Sequence, residues 1–150
     1  MFKLSKKTDY AILLLSHLDS AKLPVSAQEV SAVYSLPYPM IANILKQLVS
    51  SGLVSSSRGQ RGGYLLARSS EEINLSEIIK ATDNVFKLVE CCNDNYTCKI
   101  HHVCPTKDPL IGLHNKIKKF FDETTLYSII EETNLNTYST GKSYEIANLF

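Results

Sequence analysis

Apolar residues recur at helical spacing in the first twenty positions. Ala11, Leu14, Leu15 and Leu18 lie three and four apart, which predicts a helix from about Thr8 to Ser20, with Thr8 or Ser5 able to cap its start. In the next stretch, "VSAQEVSAVYSLPYPMIANILKQLVSSGLV", Ser26 and Glu29 stand at the S-x-x-E spacing of a capping box. A short helix should therefore begin at Ala27 and turn Ala27, Val30 and Val33 inward. Pro37 and Pro39 break a helix interior but suit its first turn, and the helix they open carries Ile41, Ile44, Leu45 and Leu48 on one face. Short helix, tight turn and second helix make a helix-turn-helix pattern, although a plain helical hairpin has the same periodicity.

After Gly52 the pattern changes. Leu53 to Ser57 and Tyr64 to Ala67 read as strands around the turn "RGQRGG". A hairpin directly after a helix-turn-helix is a winged helix. The wing tip would hold Arg58, Gln60 and Arg61 on a backbone made pliable by Gly59, Gly62 and Gly63, and arginine there can enter a minor groove or grip phosphates.

Asn74 and Glu77 repeat the capping-box spacing ahead of Ile78, Ile79 and Ala81, so another short helix follows. A long amphipathic helix then starts near Lys107. Leu110, Leu113, Ile117, Phe120 and Phe121 form its stripe, with Lys116, Lys118 and Lys119 elsewhere. Such a helix, beyond an already complete small core, is expected to pack against its counterpart in a second copy. "TTLYSIIEE" offers one further short helix, and the polar tail is expected to be poorly ordered.

The fold expected is mainly α with a small β-wing: a winged helix-turn-helix domain plus a long C-terminal dimerisation helix. Its parts are a DNA-binding domain over residues 1–82, a cysteine-rich loop over 83–106, a dimerisation helix and short terminal helix over 107–133, and a flexible tail over 134–150.

A chain of 150 residues with 44% hydrophobic content can build one real core. No apolar run approaches the roughly 18 residues that a membrane span needs. The lysines ahead of "AILLLSHL" superficially resemble a signal peptide, but that run is short, carries His17 and lacks a small-residue cleavage site, so a cytoplasmic location is expected. Net charge is only +1, yet it is unevenly distributed. Residues 1–68 hold eight Lys or Arg against three acids, and the remainder eight against twelve. A basic front half suggests a polyanion partner for that half alone. No Ser-His-Asp grouping, phosphate-binding glycine loop or evident acid–base pair points to an enzyme.

All four cysteines lie in one polar segment, "ECCNDNYTCKIHHVCPTKD". Cys92, Cys98 and Cys104 give C-x5-C-x5-C, and Cys91 in place of Cys92 widens the first gap by one. Neither register is the C-x-x-C of a zinc knuckle. Thiolates select zinc, Cu(I) or iron–sulfur clusters, and a thiol–disulfide switch fits the same residues. The turns must rely on Asn93, Asp94 and Asn95, since the loop has no glycine. The spare cysteine, His101, His102 or an oxygen ligand from elsewhere could complete a metal site.

"LSKKTDYAILLLSHL", "GLVSSSRGQRGGYLLARS", the cysteine loop and "TLYSII" together resemble the Rrf-type winged-helix transcription regulators, over about residues 1 to 132. That family includes iron–sulfur regulators such as IscR and the nitric-oxide sensor NsrR; "KLSKKTDYA" and "CKIHHVCP" look most like its Suf-operon subgroup. The resemblance implies a homodimer that crosses its long helices and binds a palindromic double-stranded DNA operator, with no membrane and no small-molecule substrate. The positions that match its recognition helix are Pro37, Pro39, Met40, Ala42, Asn43, Lys46 and Gln47; those matching its wing are Arg58, Gly59 and Gln60, with Arg61 beside them. The amide of Asn43 is the group best suited to base readout, because it can pair bidentately with adenine.

The resemblance also implies an iron–sulfur cluster, 2Fe–2S or 4Fe–4S, on Cys92, Cys98 and Cys104, with Cys91 as the alternative to Cys92. Asp9 matches a fourth ligand given by the partner subunit. The chain departs from IscR at Lys107, where that regulator has a histidine ligand, and at Ala42, where it has an acidic specificity residue. The expected function is cluster-sensing repression of Suf-type assembly genes. A nitric-oxide-responsive, disulfide-switched or zinc-dependent regulator of the same fold is the alternative.

Overall fold

The structure, a computed structural model, describes residues 3–21, 23–59, 62–83, 86–92, 98–100 and 102–132. The first apolar stripe forms helix α1, Lys6–Ser20, which begins two residues before the expected Thr8. Ser5 is the cap, its hydroxyl accepting from the Thr8 backbone N–H at 3.1 Å. Thr8 is drawn inward instead, fully buried against a helix much later in the chain.

Helix α2, Ala27–Tyr34, starts with both halves of the capping box made: Glu29 accepts from the Ser26 N–H at 2.6 Å, and Ser26 from the Glu29 N–H at 3.1 Å. It buries Ala27 and Val30, while Val33 stays half-buried. Ser35, at φ +52°, ends it and turns the chain into helix α3, Tyr38–Ser50. Pro37 caps α3 and Pro39 is its second residue, where a missing N–H costs nothing. All four apolar residues expected on the inner face of α3 are buried.

Strands β1, Val54–Ser57, and β2, Gly63–Leu66, pair antiparallel with Val54 opposite Leu66 and Ser57 opposite Gly63. The strands are each one residue out from the expected limits. A bridge the alternation did not reveal fastens the wing to the domain: Val25 donates to the Tyr64 carbonyl at 3.1 Å and Tyr64 to that of Val25 at 2.8 Å. Gly63 permits this approach, since a Cβ there would lie 2.8 Å from the Val25 carbonyl oxygen.

Helix α4, Leu75–Asp83, is capped as expected: Asn74 accepts from the Glu77 N–H at 3.0 Å and Glu77 from that of Asn74 at 3.1 Å. One core joins α1 and α3 to Leu53, Val54, Ile73, Ile78 and Leu126. Each fully buried leucine there is worth about 1.5–3 kcal/mol. Helix α5, Lys107–Glu123, admits Pro109 in its first turn, where backbone donors lack helical partners anyway. Its expected single stripe divides. Phe121 packs with Leu75 and Ile79 in a second cluster, whereas Leu113 and Phe120 remain 46% and 62% exposed. Residues 126–132 are helical and return to the body: Leu126 donates to the Ile73 carbonyl at 2.8 Å and is itself buried. The tail expected over 134–150 lies outside the described residues, and among the described residues no helix is long and apolar enough to cross a membrane.

Candidate DNA-binding face and cysteine segment

The outer face of α3 follows from burial of its inner one. Pro37, Tyr38, Pro39, Asn43 and Lys46 are exposed, while Met40, Ala42 and Gln47 are half-buried, Met40 against the core. Pro39, Asn43 and Lys46, four and three residues apart, line one stripe. The Asn43 amide has no hydrogen-bond partner among the described residues, so both its polar atoms are available to a base edge. On the wing, Ser55, Ser56, Ser57, Arg58 and Gly59 are exposed. Gly59 has φ +120°, a conformation that a side chain at this tip would strain. Gln60 and Arg61 lie outside the described residues.

Between α4 and α5, Phe86 anchors the segment that carries the cysteines. Its ring stacks on His114 of α5 at 5.3 Å and meets Phe121 edge-on at 5.1 Å. The Leu88 N–H donates to His114 Nδ1 at 3.4 Å, which places the proton of a neutral imidazole on Nε2. A short 3₁₀ turn, Glu90–Cys92, follows. Cys91, Cys92, Cys98 and Cys104 are all unpaired and half-buried. Cys104 stands just before α5, with its sulfur 3.4 Å from the Thr106 hydroxyl. That hydrogen bond, with the Thr106 and Lys107 backbone and the Lys107 charge, holds its thiol below the ordinary value despite some desolvation. Helix N-termini favour thiolates for the same reason.

Among the described residues no three His, Cys, Asp or Glu side chains converge as a metal site within one chain. Asn93, Asp94, Asn95 and His101 lie outside the described residues, and His102 is exposed. Asp9 is exposed on the first turn of α1. The donor chemistry nonetheless suits a cluster: four available thiols on one segment, one of them eased toward thiolate.

Residues 4–132 match the Rrf2 family, described as iron-dependent transcriptional regulators. The chain belongs to that family. It is similar to the HTH-type transcriptional regulator NsrR of Halalkalibacterium halodurans, 30% identical over 132 residues that cover 85% of this chain and 90% of the relative. The NsrR of Bacillus subtilis is 31% identical over 133 residues, covering 86% and 90%. The structure of CymR, the global cysteine regulator of Bacillus subtilis, superposes with a TM-score of 0.69 at 25% identity, covering 88% of this chain and 98% of CymR. That of IscR from T. potens gives 0.64 at 25% identity, covering 88% of each. The winged-helix fold and a role in transcription regulation thus stand for this Rrf2 protein, and its relatives are regulators rather than enzymes.

Sequence reasoning missed two groups that position these sites in the Rrf2 chain. The Thr8 hydroxyl lies 2.7 Å from that of Thr82 and donates to Asp83 at 2.6 Å, while Lys7 donates to the Thr82 carbonyl at 3.1 Å. These bonds tie the start of α1 to the end of α4, where the cysteine segment departs. The only signal was a threonine on the apolar face of α1. His114 was the other: four residues after Leu110 and three before Ile117, it shares the inner face of α5 by spacing, but the residue type gives no sign that it is a buried acceptor for Leu88.

Proposed function

We propose that this regulator is a homodimer that represses Suf-type iron–sulfur assembly genes and senses cluster supply through its cysteine segment. The observation that carries the reading is the confinement of every cysteine, unpaired and half-buried, to the one stretch between α4 and α5. Cys92, Cys98 and Cys104 would hold the cluster, with Cys91 as the alternative first ligand and Asp9 of a second copy as the fourth. When bound, a cluster would supply a redox-active centre whose potential is set by its ligands, hydrogen bonds and exposure.

The chain's own residues do the rest. Asn43 reads a base edge in the major groove, Lys46 and Arg58 neutralise phosphates or enter a groove, and Pro37 and Pro39 set the angle at which α3 starts. A change in the cysteine segment reaches α1 through Asp83, Thr82 and Thr8. The exposed Leu113 and Phe120 of α5 supply an apolar face for the second copy. Rotation between two winged helices abolishes binding when half-sites about one helical turn apart no longer align. Ligand occupancy and operator affinity are then coupled, as allostery requires.

Anaerobic purification followed by an absorbance spectrum, with iron, acid-labile sulfide and zinc per chain, tests the reading. Coloured protein with iron and sulfide is expected. Colourless protein with stoichiometric zinc would replace the sensor with a structural site. A second reading, a thiol–disulfide switch, is favoured by the four unpaired cysteines on one segment. Failure to reconstitute with iron and sulfide, together with oxidant-dependent loss of free thiols, would select it.

A further inference from the structure

We infer that Lys80 of α4 joins Lys46 of α3 to seat a DNA phosphate beside the recognition helix. The inference rests on the DNA-binding reading of α3 and extends it to a helix outside the helix-turn-helix and wing. The two lysines face one open cleft of about 400 Å³, lined also by Asn43, Gln47, Ser50 and Ser51. Among the described residues, every polar side chain that lines it is basic or neutral. Two ammonium groups beside one hollow repel each other unless an anion occupies it.

The nearby acids are committed elsewhere. Glu77 lies one turn before Lys80, but its carboxylate accepts from Arg68 at 2.8 Å and from the Asn74 N–H at 3.1 Å. Asp83, one turn after, accepts from Thr8 at 2.6 Å, and Ser5 and Lys7 also hold it charged. Neither Lys46 nor Lys80 has an ion-pair partner among the described residues, whereas Lys118 and Lys119 of α5 are paired with Asp122 and Glu123.

The remaining lining groups define the ligand further. Ser50 and Ser51 spend their hydroxyl protons on the Lys46 and Leu48 carbonyls, at 2.9 and 3.0 Å. With the Asn43 amide given to the base edge, the donors left for an incoming anion are the two ammoniums. Gln47 Oε1 is buried without a partner among the described residues, out of reach of an anion in the cleft. A lysine set back from the groove on a flexible stem suits a phosphate rather than a base edge. Lys80 also borders a second hollow, lined by Phe86 and by Glu77 and Asp122, whose carboxylates are held by Arg68 and Lys118.

The test is anaerobic titration of the full chain against a labelled random-sequence duplex at several KCl concentrations between about 50 and about 200 mM. Lys80→Gln should flatten the slope of log K against log[KCl] by about 0.9 for each protomer on the DNA, so that its affinity falls about 3.5-fold less over that range for one bound protomer and about 12-fold less for two. Lys119→Gln, which removes an ammonium already held by Glu123, should leave the slope unchanged. A wild-type slope in Lys80→Gln, with a flattened one in Arg58→Gln, would remove the phosphate seat and leave the DNA-binding reading standing. An equal change in Lys119→Gln would reduce the effect to bulk charge and overturn the seat. No salt-dependent binding by the wild-type chain would sink the DNA-binding reading and the seat with it.

Discussion

Replacing Gly63 with alanine tests whether backbone alone fastens the wing to the domain. The added methyl would meet the Val25 oxygen at 2.8 Å and the Val25 carbonyl carbon and nitrogen at 2.9 Å. All three are backbone atoms, so no side-chain rotation relieves the clash, and the two backbone segments must separate. Separation breaks the reciprocal pair between Val25 and Tyr64, bonds of 3.1 and 2.8 Å. At about 0.5–1.5 kcal/mol net for each, the loss is about 1–3 kcal/mol. For a domain of this size that lowers Tm by about 3–9 °C. Native-state hydrogen exchange at the Val25 and Tyr64 amides localises the effect, because both should lose protection even where the core helices keep theirs. Gly52→Ala is the comparison: Gly52 has φ +75° and open space around it, so alanine there adds backbone strain without touching the wing. Wild-type protection at both amides, with Tm within about 1 °C of wild type, would refute the backbone account of wing docking.

Asn43→Ala should cost about 1–3 kcal/mol on the best operator and relax preference at one base pair, measured by binding to a randomised library. Uniform weakening across sequences would reassign Asn43 to backbone contact. Gly112 lies inside α5 with nothing within 4 Å of an added Cβ. Gly112→Ala should therefore stabilise the isolated protomer by about 1 kcal/mol, read by thermal melting at low concentration. Weakened self-association in sedimentation would show that a second helix crosses there, and unchanged association that it does not. Burial holds His17 below its ordinary pKa, partly offset by the Glu29 carboxylate, with the Tyr34 hydroxyl 3.1 Å from Nδ1. The unfolded chain thus takes up this proton first, so stability is full above about pH 6.5 and declines as pH falls from there toward the lower folded value. Tm should drop between about pH 7.5 and about pH 5.5 and stay flatter in His17→Gln. An identical pH dependence in the variant would remove His17 as its source.

What the sequence made legible was local. Both capping boxes form because Ser26 with Glu29, and Asn74 with Glu77, need only their own first helical turn. The inner face of α3 is legible for the same reason, since a dense stripe on a short helix has one way to face a core. The start of α1 was misplaced because Thr8, a good cap by type, has a buried partner in Thr82, far along the chain. Periodicity likewise joined Phe120 and Phe121 in one stripe on α5. It records that both are apolar, not that Phe121 meets Leu75 and Ile79 while Phe120 faces outward. In the site, the recognition positions and the crowded cysteines were visible as residue types in a pattern. Lys80 was not, because its meaning depends on α4 packing beside α3 and on Glu77 and Asp83 being engaged elsewhere.

The hydroxyl pair of Thr8 and Thr82 also constrains how this sequence can drift. Thr82 has a fallback in the Ile78 carbonyl, 3.0 Å away, but the Asp83 carboxylate depends on Thr8 for its 2.6 Å bond. Losing the hydroxyl at position 8 alone strips the carboxylate of its shortest donor and leaves two helices less firmly joined. Either change alone breaks the same bond, and water reaches the exposed Asp83 carboxylate once the hydroxyl is gone. The second of the two substitutions therefore costs less than the first, in whichever order they come. Descendants of such a lineage should differ at positions 8 and 83 together more often than at position 8 alone.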